Sequence, residues 1–140
     1  MSTGNQPCDF VDWESSRGDP FEEHNGPLYR LGKGDASRCA FRAERKHCNG
    51  LGIVHGGMLM SFADFALFVI ARPELDGGHG VTLSMTCDFT APAGQGELIE
   101  ASGEVVQSTP GMVFVRGTVY TGDRTLLAFS GVVRKQRRRR

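Results

Sequence analysis

One segment limits the folds open to this chain more than any other. From His55 to Arg72 it reads HGGMLMSFADFALFVIAR, apolar at almost every position after the glycine pair and without period-two alternation. A run of about 15 residues built from Met, Ala, Leu and Phe predicts a helix, and apolarity nearly all round predicts that it is central. Pro73 and the DGGHG that follows end it. Everything after that predicts strands. VTLSMTCDFTA (81–91) alternates with Leu83, Met85, Cys87 and Phe89 on one face and Ser84, Thr86, Asp88 and Thr90 on the other. Segments 97–108, 112–121 and 125–135 follow, joined by TPG and GD, which are short enough for hairpins. Upstream, 28–32 and 37–45 read as two more strands, and DPFEEHNGP as a short helix capped by Asp19 with Pro20 at its first position.

The expected class is α+β: two strands, a buried helix, then four strands in an antiparallel meander. One helix cannot shield both faces of about six strands, so the sheet is expected to curl round it and protomers to pair. At 140 residues the chain is most simply one domain. The expected limits are residues 19–133, with a flexible segment 1–18 before it and a basic tail 134–140 after it.

Charge and targeting signals exclude more than they assign. No apolar run reaches the ~18 residues of a membrane span. MSTGNQPCDF has neither the basic start nor the apolar stretch of a signal peptide, so a cytoplasmic address is expected. Six of the 16 basic residues sit in the last seven positions, RKQRRRR, which leaves ten against 16 acids in residues 1–133. No nucleic-acid motif or interleaved aromatics accompany that tail, and no nucleic-acid partner is expected. Cys8, Cys39, Cys48 and Cys87 lack metal-site pairing and read as reduced, mostly buried small residues, so no metal is expected. His47 and His79 read as surface residues, and Met58 and Met60 as core or pocket lining.

Asp64 is the residue out of keeping with its surroundings. A carboxylate in a core helix needs a partner, a rim or a task, and Arg72 and Arg116 are candidate partners. At the start of the same helix, the amides of Gly56 and Gly57 sit where unpaired N–H groups and the helix dipole favour negative charge. They form an oxyanion-hole-type feature, able to polarise a carbonyl. Gly57 and Asp64 are seven residues apart, on one face but about 10.5 Å along the axis. That is too far to flank one carbonyl comfortably. Two antiparallel copies of the helix across a two-fold axis would bring Asp64 of one protomer to Gly57 of the other.

These residues resemble a known family. NGLGIVHGGMLMSFAD is similar to the signature of hotdog-fold thioesterases of the phenylacetic-acid-degradation (PaaI-like) type, with Asn49 six residues before His55 and Asp64 nine after it. FEEHNGPLY and CDFTAPA extend the likeness over roughly residues 20–134. The resemblance implies a long helix wrapped by a curved antiparallel sheet, dimers often paired into tetramers, and acyl-CoA bound at the dimer interface. It implies Asp64 as nucleophile or general base and the Gly57 amide, beside Gly56, at the carbonyl oxygen. Asn49 would position substrate or water, and His55 would order the loop. A strand hydroxyl, best matched by Thr82 with Ser84 next, would join the site. Phe65 and Phe68, with Phe62, Met58 and Met60, are candidates for an acyl slot. Coenzyme A would be part of the substrate rather than a bound cofactor, and seven basic residues from Arg30 to Arg124 are candidates for its phosphates. Other readings of the same residues are a hydratase or dehydratase of the same fold and a non-catalytic acyl-CoA-binding protein.

Overall fold

The computed structural model describes residues 13–15, 18–32 and 34–136. The apolar segment forms a 16-residue helix, α2 (Gly56–Ala71), ten of whose residues are buried. Before it come β1 (Glu14–Ser15), α1 (Pro20–Asn25), β2 (Tyr29–Leu31) and β3 (Arg38–Arg42), and after it β4 (His79–Phe89), β5 (Leu98–Ser108), β6 (Met112–Thr121) and β7 (Arg124–Gln136). Asp19 caps α1 as expected, accepting the Glu22 N–H through Oδ1 at 3.0 Å. Beyond Ala71 the chain tightens into a 3-10 turn, Arg72–Leu75, and leaves through Asp76 in the left-handed region at φ 52°. Among the described residues no helix is long and apolar enough to cross a membrane.

The strands form one antiparallel sheet ordered β1-β2-β3-β5-β6-β7-β4. It departs from the sequence expectation in two ways. A seventh strand, β1, pairs Glu14 with Arg30 and Ser15 with Tyr29, inside the segment expected to be flexible. The meander consists of β5, β6 and β7 only; β4 lies outside β7, as an edge strand. The reason is the connection at 90–97, too long for a hairpin, which crosses to β5 and is stitched to the loop before α2. Val54 donates to the Ala93 carbonyl at 2.8 Å, and Ile53 bridges to Gly94. At the other end, the basic run begins within β7, since Arg134 pairs with Met112 and Val81. Residues 137–140 of the tail lie outside the described residues.

The helix is buried because the sheet makes room for it. A Cβ at Gly131 would stand 3.0 Å from both Leu67 methyls, and one at Gly103 would meet Ile70 Cδ1 at 3.0 Å and the Arg116 carbonyl at 2.3 Å. Glycine at these positions of β7 and β5 lets α2 seat directly on the strands. On the far side Phe62 meets Phe41 edge-to-face at 4.7 Å between centroids, and both are fully buried. Met58 joins the core, but Met60 is 42% exposed, so only one of the two methionines packs there. Cys39 is a buried core residue whose thiol is pushed up to about 12 by desolvation, while Cys48 and Cys87 are half-buried and Cys8 lies outside the described residues.

Candidate functional site

Asp64 sits on the half-buried flank of α2, and its partner is neither arginine. Arg116 pairs instead with Glu104 at 2.6 Å, between β6 and β5. The carboxylate Oδ1 accepts a hydrogen bond from Thr82 Oγ1 at 2.6 Å. The resemblance pointed to Thr82, whereas the alternation of the strand put Leu83 on the helix side and Ser84 opposite. A β-bulge between Thr82 and Ser84 changes that. Thr82 pairs with Val133 and Ser84 with Val132, so Leu83 is the extra residue. The bulge turns Thr82 onto the helix side while keeping Met85 and Cys87 there. It leaves Leu83 54% exposed. Phe89, expected beside Met85, is 51% exposed even though its ring lies 3.4 Å from where a Gly56 Cβ would stand.

Asp64 opens onto a cleft of about 1170 Å³. Phe65, Phe68 and Val69 of the helix supply one wall, and the turn at Gly77–Gly80 another. Trp13 and Glu14 close it from the N-terminal side, a contribution that no sequence pattern marked. Of the aromatic residues expected to be candidates for an acyl slot, Phe65 and Phe68 line this cleft. Phe62, fully buried, does not line it.

The other candidate residues gather two turns away, at the N-terminus of α2. His55 is the N-cap: its carbonyl accepts from Met58 and Leu59, and its Nδ1 accepts the Gly57 N–H at 2.9 Å. The amide expected to meet a substrate carbonyl is therefore already bonded within the chain. The reason is local, because an N-cap side chain reaches the N2 N–H by default. The Gly56 N–H finds no acceptor among the described residues. With Nδ1 accepting, a neutral His55 carries its proton on Nε2.

Asn49 organises the loop leading in. Its Oδ1 accepts the N–H groups of Leu51 at 2.9 Å and Ile53 at 3.3 Å, which fixes the amide orientation and turns Nδ2 outward as a donor. Beneath this loop lies His47, 3% exposed and not the surface residue expected from its polar surroundings. Its Nδ1 accepts the Glu44 N–H at 2.9 Å, its Nε2–H donates to the Asn25 carbonyl at 2.6 Å, and its own carbonyl accepts the His55 N–H at 2.8 Å. Burial lowers its affinity for a second proton despite the Asn25 bond and the nearby Glu44. A neutral His47 thereby ties α1 to the residue that caps α2. His79 is exposed, as expected, at the rim of the cleft.

The residues expected to act thus fall into two groups, the two halves of the expected site: Asp64, Thr82, Phe65 and Phe68 along the flank of α2, and Asn49, His55, Gly56 and Gly57 at its start. The helical rise keeps them about 10.5 Å apart within one chain. Among the described residues no three His, Cys, Asp or Glu side chains gather as a metal site would need.

Residues 51–128 match the family model of the thioesterase superfamily. PA0474 of Pseudomonas aeruginosa, whose name assigns it provisionally to the esterases, is 31% identical over 120 residues, 83% of this chain and 88% of that protein. A mutant of the phenylacetic acid degradation protein PaaI from Thermus thermophilus superposes with a TM-score of 0.75 at 28% identity, covering 84% of this chain and all of that one. A hypothetical thioesterase from Streptococcus pneumoniae, solved with coenzyme A, shares the fold at 16% identity, with a TM-score of 0.72 over 81% of this chain and 88% of that one.

Proposed function

Because the chain belongs to the thioesterase superfamily and has its hotdog fold, we propose that it hydrolyses an acyl-CoA to the free acid and coenzyme A. The observation that carries this reading is the Asp64 carboxylate, oriented by Thr82 at 2.6 Å on the wall of a cleft flanked by Phe65 and Phe68.

The chemistry follows from these groups. The Asp64 carboxylate either attacks the thioester carbon, giving a mixed anhydride that water then opens, or takes a proton from the water that attacks. In both routes the C–S bond breaks with its electron pair on sulfur. A thiolate is a good enough leaving group to need no strong acid beside it. The carbonyl oxygen is received at the glycine pair: the Gly56 N–H is open, and the Gly57 N–H exchanges His55 Nδ1 for the oxygen. Asn49 Nδ2 donates to substrate or to the attacking water, and His55 holds the loop.

One chain cannot bring both half-sites to one carbon, so the working unit is a homodimer, alone or paired into a tetramer. The surface fits that requirement. Among the described residues β4 pairs only with β7, and it exposes Val81 (45%), Leu83 (54%) and Phe89 (51%) along an open edge, with Met60 (42%) on the helix. Unpaired edges carrying large apolar side chains are the surfaces that a second copy covers.

The test is thiol release from aryl-, short- and medium-chain acyl-CoAs by the wild type and Asp64→Asn. The expected result is turnover that falls by at least about 100-fold in the variant while its melting temperature is kept. Tight binding without turnover of any of these thioesters would instead make the protein an acyl-CoA binder, with Asp64 as a structural acid.

A further inference from the structure

We propose that the acyl group taken by this cleft ends in a carboxylate, which Arg72 receives; the proposal rests on the thioesterase reading of Asp64. Asp64, Phe68 and Arg72 follow one another at i+4 steps along α2, and all three line the same cleft. A ligand lying along the helix from the reacting carboxylate therefore passes an aromatic wall and meets a guanidinium.

The charges in the cleft leave that guanidinium available. Of the other ionic groups there, Arg30 lies 3.7 Å from Glu14. Asp19 caps α1, and Glu22 makes a contact of its own. Arg72 has no acidic partner among the described residues, and it occupies the point where α2 gives way to the 3-10 turn. A guanidinium carries only donors and stays charged, so the group that complements it is an anionic acceptor with two oxygens.

The spacing sets the size of the acyl group. Eight residues of helix span about 12 Å, and about 3 Å at each end goes to the approach to the thioester carbon and to the hydrogen bond at Arg72, which leaves about 6 Å. A five- or six-carbon chain or one para-substituted ring fills that span. The class implied is the mono-CoA thioester of a medium dicarboxylic acid or of a ring carrying a distal carboxylate.

The experiment compares adipoyl-CoA with hexanoyl-CoA, equal in carbon count and different only in the terminal carboxylate. Wild type is expected to favour adipoyl-CoA by about tenfold or more in kcat/KM, the scale of one charge-assisted contact at a partly open site. In Arg72→Gln that ratio is expected to fall by about tenfold, and Arg72→Lys to keep part of it. An unchanged ratio in Arg72→Gln overturns the proposal. So does an equal loss on both substrates, which would assign Arg72 to the coenzyme A portion. Calorimetric binding of the two thioesters to Asp64→Asn, with and without Arg72→Gln, gives the same comparison without turnover. Tighter adipoyl-CoA binding that depends on Arg72 upholds the carboxylate seat even if no thioester is hydrolysed, and equal binding overturns it.

Discussion

Replacing Thr82 with valine removes one hydroxyl and nearly nothing else, because both side chains are β-branched and similar in size. The hydroxyl lies 2.6 Å from Asp64 Oδ1, at the short end for an O–H donor to a carboxylate. A bond of this kind has a net worth of about 1.5–3 kcal/mol. If it holds the carboxylate in its reacting orientation, that free energy is lost from the transition state. At about 1.4 kcal/mol per factor of ten, kcat/KM should then fall roughly 10- to 100-fold in Thr82→Val. Stability should change by less than about 1 kcal/mol, because Thr82 lies on an edge strand and water can replace the lost donor. Thr82→Ser keeps the donor and should retain most activity. The assay is thiol release over a substrate range, with thermal melts of all three proteins. A valine variant within twofold of wild type would refute the role given to Thr82. A serine variant as impaired as the valine one would do the same, pointing to the methyl group's packing instead.

Two other perturbations probe the scaffold and the assembly. His47 is neutral and buried with its proton affinity lowered, so the unfolded chain takes up a proton more readily than the folded one. Stability should therefore be full above the ordinary histidine value of 6.5 and decline as pH falls below it; denaturant melts between pH 5 and 8 would show this, and His47→Phe should flatten that part of the slope. An identical slope in both proteins would remove His47 from the account. At the open edge, Leu83→Glu should convert the proposed dimer or tetramer to monomer in light scattering and lower activity at least about tenfold, since the proposed half-sites then separate; a wild type that is monomeric and fully active would contradict the shared site.

The elements legible in the sequence are those whose local and tertiary demands agree. The helix could be read because a segment apolar on every side has nowhere to go but the centre. The β5–β6–β7 hairpins could be read because TPG and GD allow little else. Asp64, His55 and the glycine pair stood out because each breaks the pattern round it. What the sequence hid depends on partners far along the chain. β1 is two residues long and exists only because β2 offers it an edge. His47 sits among polar residues and reads as solvated, yet the backbone groups of Asn25 and Glu44 satisfy both its ring nitrogens and make its burial tolerable. The bulge at Leu83 is the most consequential of these, because alternation through VTLSMTCDF is unbroken and gives no sign of an inserted residue. Without the bulge, Thr82 and Met85 would face opposite sides of β4, and the strand would have to choose between orienting Asp64 and packing the core. With it, one strand does both, and the residue displaced outward is the leucine that now stands on the open edge. The same irregularity thus completes the carboxylate's immediate surroundings and supplies apolar surface to the edge that a second protomer would cover. Deleting Leu83 should leave Thr82 and Met85 two positions apart and on one face, so Asp64 should keep its orientation while pairing of protomers fails, whereas Thr82→Val should remove the orientation and leave the pairing.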